Sequence, residues 1–188
     1  MVNPYTNYIV SGLERSGTSV MMQMLIAGGM PVAFDESRPP DEHNPRGYYE
    51  LAGGKIINRL MDGTIDLDSY RGKVLKVTAY GLKFLPDGKY KIIYMTRNMD
   101  EVLNSMEKMG AGIDREKDAV LFEKLNRFSF ELMENRNDME YITVNYGEVI
   151  GNPRIAIENV TGFFDIQMDI ESAIEAVDSR LYRNRASS

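Results

Sequence analysis

The sequence contains no cysteine, no tryptophan and only one histidine, His43, in 188 residues. Without cysteine the chain can form neither a disulfide nor a thiolate metal site, and one histidine leaves few ligands for zinc. We therefore expect no bound metal. The lack of a disulfide framework also favours an intracellular protein.

Long apolar runs are absent as well. No stretch approaches the roughly 20 residues that cross a membrane, and the first residues lack the basic and then apolar pattern of a secretion signal. We expect a cytoplasmic protein with no membrane partner. The net charge of -6 disfavours nonspecific nucleic-acid binding, although a local cluster of arginines could still bind a small anion. The length suggests one domain over residues 1–188.

Short apolar runs alternate with helical patterns along the chain. The runs predict five β-strands, over residues 6–11, 31–34, 73–78, 90–96 and 140–145. This alternation is typical of a parallel sheet covered by helices on both faces. We predict an α/β fold with three layers, α/β/α, and a mainly parallel sheet.

Two further segments have a clear local pattern. A helix is predicted over residues 116–136, where Leu121, Leu125, Phe128 and Leu132 recur at helical spacing. The stretch from residue 35 to residue 49 contains three prolines and predicts a long loop at an edge of the sheet. Long loops in compact domains often carry functional residues.

A glycine-containing loop follows the first strand. Residues 11–19 read Ser-Gly-Leu-Glu-Arg-Ser-Gly-Thr-Ser and lie between an apolar run and a helical pattern. The spacing from Gly12 to Gly17 predicts a turn that points backbone amides at an anion, and the helix that follows adds the positive end of its dipole. We expect a phosphate or sulfate to bind Gly12 and the run Arg15, Ser16, Gly17, Thr18 and Ser19.

The loop differs from that of nucleotide hydrolases, which read GxxxxGK[ST]. Thr18 stands where their lysine would be, and Arg15 supplies the positive charge instead. Neither of the strands 73–78 and 90–96 is followed by a carboxylate that could hold magnesium. A small nucleotide kinase is therefore an alternative that depends on the glycine loop alone.

A second candidate anion site follows the strand over residues 90–96. Arg97 comes directly after this strand, and Asn98 predicts an N-cap with Glu101 as its capping-box partner, at the start of a helix over 99–108. Ligands of doubly wound sheets bind at the carboxyl ends of the strands. We therefore expect Arg97 to share one crevice with the glycine loop.

These motifs resemble those of the sulfotransferases that use 3′-phosphoadenosine 5′-phosphosulfate (PAPS). Residues 15–19 are similar to the family's phosphosulfate loop, Arg97 and Ser105 match the spacing of its 3′-phosphate motif, and residues 144–149 resemble its Tyr-Glu-Asp-Leu segment. The resemblance spans most of the chain. It implies a P-loop NTPase-like sulfotransferase fold, with PAPS as donor and 3′,5′-adenosine bisphosphate (PAP) as product.

The resemblance also implies roles for particular residues. Arg15 would hold the bridging oxygen, Lys76 would stabilise the transferring group, and Arg183 and Arg185 would add cations at the 3′-phosphate. The family's histidine base is replaced by Thr78, which is too weak a base for an alcohol. We predict Glu50 as the general base, with three alternatives in His43, Glu42 and Glu36, or no base at all.

The function implied is transfer of a sulfonate group to a hydroxyl or amine of a small molecule, sugar or peptide. A noncatalytic PAPS- or PAP-binding module is a further alternative, because Thr78 replaces the base and Glu14 puts a negative charge into the anion loop. The sequence indicates neither the acceptor nor the oligomeric state.

Overall fold

The centre of the molecule is a four-stranded sheet. The computed structural model describes residues 2–41, 44 and 46–178. The strands are β1 (Asn7–Gly12), β2 (Val74–Lys76), β3 (Tyr90–Thr96) and β4 (Met139–Asn145). Their order is β2-β1-β3-β4, and every neighbouring pair is parallel. The chain leaves β1 for one side of the sheet and later returns to its other side, so the topological switch point lies between β1 and β3.

Helices cover both faces of this sheet. Alternate side chains of β1 point to opposite faces: Tyr8 and Val10 pack in one hydrophobic core, and Ile9 packs in the other. The first core includes residues of α1 (Thr18–Ala27), α5 (Tyr146–Gly151), α6 (Pro153–Phe164) and α7 (Ile170–Glu175). The second includes residues of α2 (Ile56–Met61) and α4 (Arg115–Asn135). The predicted three-layer α/β architecture is confirmed.

The predicted strand over residues 31–34 is wrong. This segment makes only an isolated bridge between Val32 and Val74, with one hydrogen bond on each side of it. Pro31 has no N–H to extend the ladder, and β2 itself is only three residues long. The chain then turns away at Phe34, whose side chain is exposed.

The predicted apolar face of α4 is partly wrong. Leu125 and Leu132 are partly buried against the core, but Leu121 and Phe128 are exposed. The fully buried positions are Ser129 and Met133, in the C-terminal half of the helix. Apolar residues occur on more than one face of α4, so the spacing alone did not identify the packed face.

The loop predicted over residues 35–49 is present, since the described residues in this range form no helix or strand. The helix predicted over residues 99–108 is α3 (Met99–Glu107). Within the described ranges, no helix is both long enough and apolar enough to cross a bilayer.

Candidate active site

The two glycines of the loop are required by close packing inside the protein. Gly12 and Gly17 both have positive φ angles, 145° and 100°. A Cβ atom at Gly12 would collide with the carbonyl oxygen of Met95, and one at Gly17 would overlap the ring of Tyr146. The loop therefore lies tightly against β3 and the start of α5, in addition to any role in admitting an anion.

The start of α1 offers unpaired backbone donors. The amide and hydroxyl of Ser16 both donate to the carbonyl of Leu13, at 3.2 and 2.7 Å, so Ser16 braces the turn from inside. Gly17 is the N-cap and gives no side-chain cap. In the described part of the chain, the amides of Gly17, Thr18 and Ser19 have no hydrogen-bond acceptor. Such amides and the helix dipole together favour an anion at this end of the helix.

Arg15 and Arg97 meet at the switch point. Nη1 of Arg97 donates to the carbonyl oxygen of Arg15 at 3.1 Å, and Nε of Arg15 donates to the hydroxyl of Ser105 on α3 at 2.9 Å. Burial lowers the pKa of Arg15, and the nearby Arg97 acts in the same direction. The structure thus brings together Arg15, Arg97 and Ser105. The sequence assigned Arg15 to the phosphosulfate end of one nucleotide and the other two residues to its 3′-phosphate end.

Arg97 is held on two sides. Its Nε pairs with the carboxylate of Glu101 at 2.9 Å, and both side chains are almost fully buried. Its guanidinium carbon lies 4.3 Å from the centre of the Tyr146 ring. Asn98 caps α3 as predicted, but the role of Glu101 as ion-pair partner was missed. The i, i+4 spacing of Arg97 and Glu101 was the available signal.

A second cluster surrounds Lys76 at the end of β2. Its ammonium group contacts the hydroxyl of Ser19 at 3.1 Å, the carbonyl of Tyr48 at 2.9 Å and Oε1 of Glu50 at 2.9 Å. Burial lowers the pKa of Lys76, against the opposing effect of Glu50. Oε2 of Glu50 pairs with Nη1 of Arg38 at 2.9 Å. Both oxygens of this carboxylate therefore contact cations.

The backbone on both sides of Glu50 is strained. Tyr49 and Ala52 each have a φ of 54°, in the left-handed region that non-glycine residues seldom adopt. Asp35 stabilises this turn, because its amide donates to the carbonyl of Glu50 and its carboxylate accepts from the amide of Ala52 at 2.7 Å. Hydrogen bonds from Ser37 and Ala52 lower the pKa of Asp35. Strain that is held in place by such contacts is typical of functional sites.

These groups line one cleft of about 660 Å³ at the carboxyl ends of the strands. Among the described residues, its lining carries two carboxylates, Glu14 and Glu50, and six cations: Arg15, Arg38, Lys55, Lys76, Arg97 and Lys108. The cleft is therefore positive in a protein whose net charge is -6. Such a cleft favours a ligand with several negative charges.

Comparisons with known proteins agree with this fold. Neither a protein-family model nor a curated protein matches the sequence. Among solved structures, the sulfotransferase domain of the curacin biosynthetic pathway matches with a TM-score of 0.58 and 13% identity, over 92% of this chain and 78% of that one. The sulfotransferase domain of the Synechococcus PCC 7002 olefin synthase matches with a TM-score of 0.53 and 16% identity, over 100% of this chain and 82% of that one. The chain has the sulfotransferase fold. Mouse sulfotransferase SULT7A1, solved in complex with PAP, matches with a TM-score of 0.50 and 14% identity, over 96% of this chain and 64% of that one.

The other residues singled out from the sequence have different positions. Glu36 is exposed and does not belong to the cleft lining, whereas Glu14 is exposed at the cleft. Thr78 lines the cleft near Lys76. The remaining candidates lie outside the described residues: His43, Glu42, Arg183 and Arg185. Among the residues that are described, no three His, Cys, Asp or Glu side chains form a group that could hold a metal ion.

Two further residues of the site were missed from the sequence. The guanidinium of Arg38 stacks on the Tyr48 ring, with its carbon 3.5 Å from the ring centre. The hydroxyl of Tyr48 donates to Asp41 at 2.7 Å. Arg38, Tyr48 and the partner Asp41 belong to the long loop, which has no periodic pattern that would orient their side chains.

Replacing Gly17 by alanine should lower the stability of the protein strongly. The left-handed backbone costs alanine about 1–2 kcal/mol, and overlap with the Tyr146 ring adds about 1–3 kcal/mol. We expect the melting temperature to fall by about 4–20 °C in calorimetry. Gly162→Ala is the matched control, because it lies inside α6 with open space around its Cβ position and should stabilise the helix slightly. A Gly17→Ala protein that melts within about 2 °C of the wild type would contradict this account.

Proposed function

We propose that this protein is a PAPS-dependent sulfotransferase that transfers a sulfonate group to a hydroxyl or amine of a small molecule, sugar or peptide. One observation carries the proposal: Arg15 and Arg97, which follow β1 and β3, meet at the switch point beside the unpaired amides of α1. The sulfotransferase fold and the PAP in the mouse SULT7A1 structure support it.

The charges of the cleft match those of the donor. The amides at the start of α1 and the guanidinium of Arg15 suit the phosphosulfate end. Arg97 and Ser105 suit the 3′-phosphate, since a guanidinium can donate to two oxygens of a phosphate at once. Tyr146 and Glu101 hold the Arg97 side chain in place, which reduces the entropy lost on binding.

Lys76 and Glu50 carry the chemical step in this proposal. A bond forms between the acceptor oxygen or nitrogen and sulfur, the bond from sulfur to the bridging oxygen breaks, and its electron pair leaves with PAP. The acceptor proton passes to Glu50. Lys76 stabilises charge on the transferring group, and we expect it to shift from Glu50 toward the sulfonate as the donor binds, which frees one oxygen of the base.

PAP should raise the melting temperature more than ATP with magnesium does. At a concentration of 100 times its Kd, PAP adds about 2.7 kcal/mol of stability, or about 5–11 °C. In Arg97→Ala the PAP-induced rise should disappear, whereas it should persist in Lys83→Ala, which removes an exposed lysine stacked on Tyr80. Each rise is measured by calorimetry against the same variant without ligand.

Equal shifts from PAP and ATP with magnesium, or a larger shift from ATP, would contradict the proposal and favour the kinase alternative. Product formation distinguishes an active sulfotransferase from a noncatalytic binding module. A PAP-induced shift without transfer from PAPS to any compound of a broad acceptor panel would indicate a noncatalytic binding module. A single sulfated product, identified by mass spectrometry, would exclude that module.

A further inference from the structure

The cations of the cleft come from different parts of the chain. Arg15 and Arg97 lie at the switch point, and Lys76 contacts Ser19 at the start of α1. Arg38 and Lys55 instead belong to the segment of residues 35–55, which also carries Glu50. Under the proposed function the donor binds Arg15, Arg97 and the α1 amides, and the acceptor binds beside Glu50, where Arg38 contacts this carboxylate.

Arg38 is held in position before any ligand binds. Its guanidinium stacks on Tyr48, and Glu50 accepts from its Nη1. Tyr48 is itself fixed through Asp41 and Lys76. The Arg38 side chain is still 40% exposed. A planar guanidinium presents five donors, so the group can bind a second oxyanion while it remains paired with Glu50.

Lys55 is exposed and lines the same cleft as Arg38. In the described part of the chain it has no ion-pair partner, although it lines the cleft. It directly follows Gly54, whose Cβ position is 3.8 Å from Nη1 of Arg38 and 2.7 Å from Oε2 of Glu50. A side chain at residue 54 would cover Glu50, so glycine keeps the cation cluster open to the cleft.

Glu50 contacts more positive charge than it carries negative charge. One carboxylate contacts two cations, Lys76 and Arg38, and Lys55 adds a third positive charge nearby. A sulfonate carries a single negative charge, which Lys76 can match. The remaining positive charge suits an oxyanion on the acceptor itself.

We propose that the acceptor is an anionic compound, whose carboxylate, phosphate or sulfate group is bound by Arg38 and Lys55 while its hydroxyl or amine reaches Glu50. This inference rests on the proposed function and deepens it by naming the acceptor class. Arg38 and Lys55 are then specificity-determining residues, and a neutral analogue of the same acceptor leaves their charges unpaired.

Matched acceptor pairs test the proposal, with PAPS as the donor and kcat/KM as the readout. The pairs are 2-naphthol with 6-hydroxy-2-naphthoate, and glucosamine with glucosamine 6-phosphate. We expect the anionic member to be preferred about tenfold or more in at least one pair. The preference should shrink in about 0.5 M salt, because added ions screen exposed charges.

Variants of Lys55 separate charge recognition from structure. In Lys55→Gln, kcat/KM for the anionic member should fall about fivefold to tenfold, mainly through KM. The neutral member should stay within about twofold, and Lys55→Arg should restore the preference. Lys83→Gln, on an exposed lysine outside the cleft, should leave kcat/KM unchanged for both the anionic and the neutral member.

Three outcomes would overturn the proposal: neutral members used as well as or better than anionic ones in both pairs, equal loss for both members in Lys55→Gln, or no sulfation of either anionic member. The proposed function is judged separately, by the PAP-induced rise in melting temperature. A protein that binds PAP and sulfates only neutral compounds would retain that function and lose this inference.

Discussion

Glu50→Gln should lower kcat by about 10²- to 10⁴-fold, because the acceptor would lose its general base. Glutamine keeps the size of the side chain and an oxygen that can accept from Lys76, so the strained turn at Tyr49 and Ala52 should persist. The PAP-induced rise in melting temperature should change little, since the donor contacts Arg15 and Arg97 rather than Glu50. The measurements are kcat with PAPS and calorimetry with and without PAP.

Glu36→Gln is the matched control for this variant. Glu36 belongs to the same segment but is exposed and outside the cleft lining, and its loss should leave kcat within about twofold of the wild type. If Glu50→Gln keeps more than about a tenth of the wild-type kcat, Glu50 is not the base. Parallel variants His43→Ala and Glu42→Gln then test the two remaining candidates.

Lys76→Met should lower kcat by about 10²- to 10³-fold, the loss typical of removing one group that stabilises charge in the transition state. Methionine fills a similar volume in this buried position, so PAP binding through Arg97 should persist. Burial lowers the pKa of Lys76 from its usual 10.5. The charged form is therefore lost as the pH rises through that lowered pKa, and kcat should fall on the alkaline side below pH 10.5.

The Lys76→Arg variant keeps a positive charge at residue 76 but changes the shape of the group that carries it. A guanidinium stays protonated at higher pH, so the alkaline fall in kcat that is due to residue 76 should disappear even if the rate itself is reduced. Lys83→Met serves as the control and should behave as the wild type. A Lys76→Met protein that retains a fifth or more of the wild-type kcat, about 1 kcal/mol of barrier, would show that Lys76 does not act on the transferring group.

The central part of the fold was predictable because its signals are local. Strands β1, β3 and β4 lie within one or two residues of their predicted bounds, since each is a short run rich in β-branched and aromatic residues. The proximity of Arg15, Arg97 and Ser105 followed from one rule, that carboxyl ends of parallel strands meet at one edge of a sheet.

The positions of the loop residues at the cleft could not be predicted in the same way. Arg38, Tyr48 and Asp41 belong to a loop without periodicity, and their positions depend on contacts with Lys76 and Glu50 that are distant in sequence. The segment at Val32 was also mispredicted from local sequence. It forms only an isolated bridge, because pairing of so short a segment depends on its neighbour as much as on its own residues. Lys76 and Glu50 were chosen from the sequence, but their direct ion pair was not foreseen.

The segment of residues 35–55 is fastened to the rest of the protein at a few points. Asn44 donates to Ser19 of α1, and Lys76 of β2 donates to the carbonyl of Tyr48. Tyr49 and Leu51 pack against the two hydrophobic cores. Chimeras that keep these anchor residues and exchange the positions between them could acquire new substrate ranges without rebuilding the scaffold, which makes this segment the natural target for directed evolution.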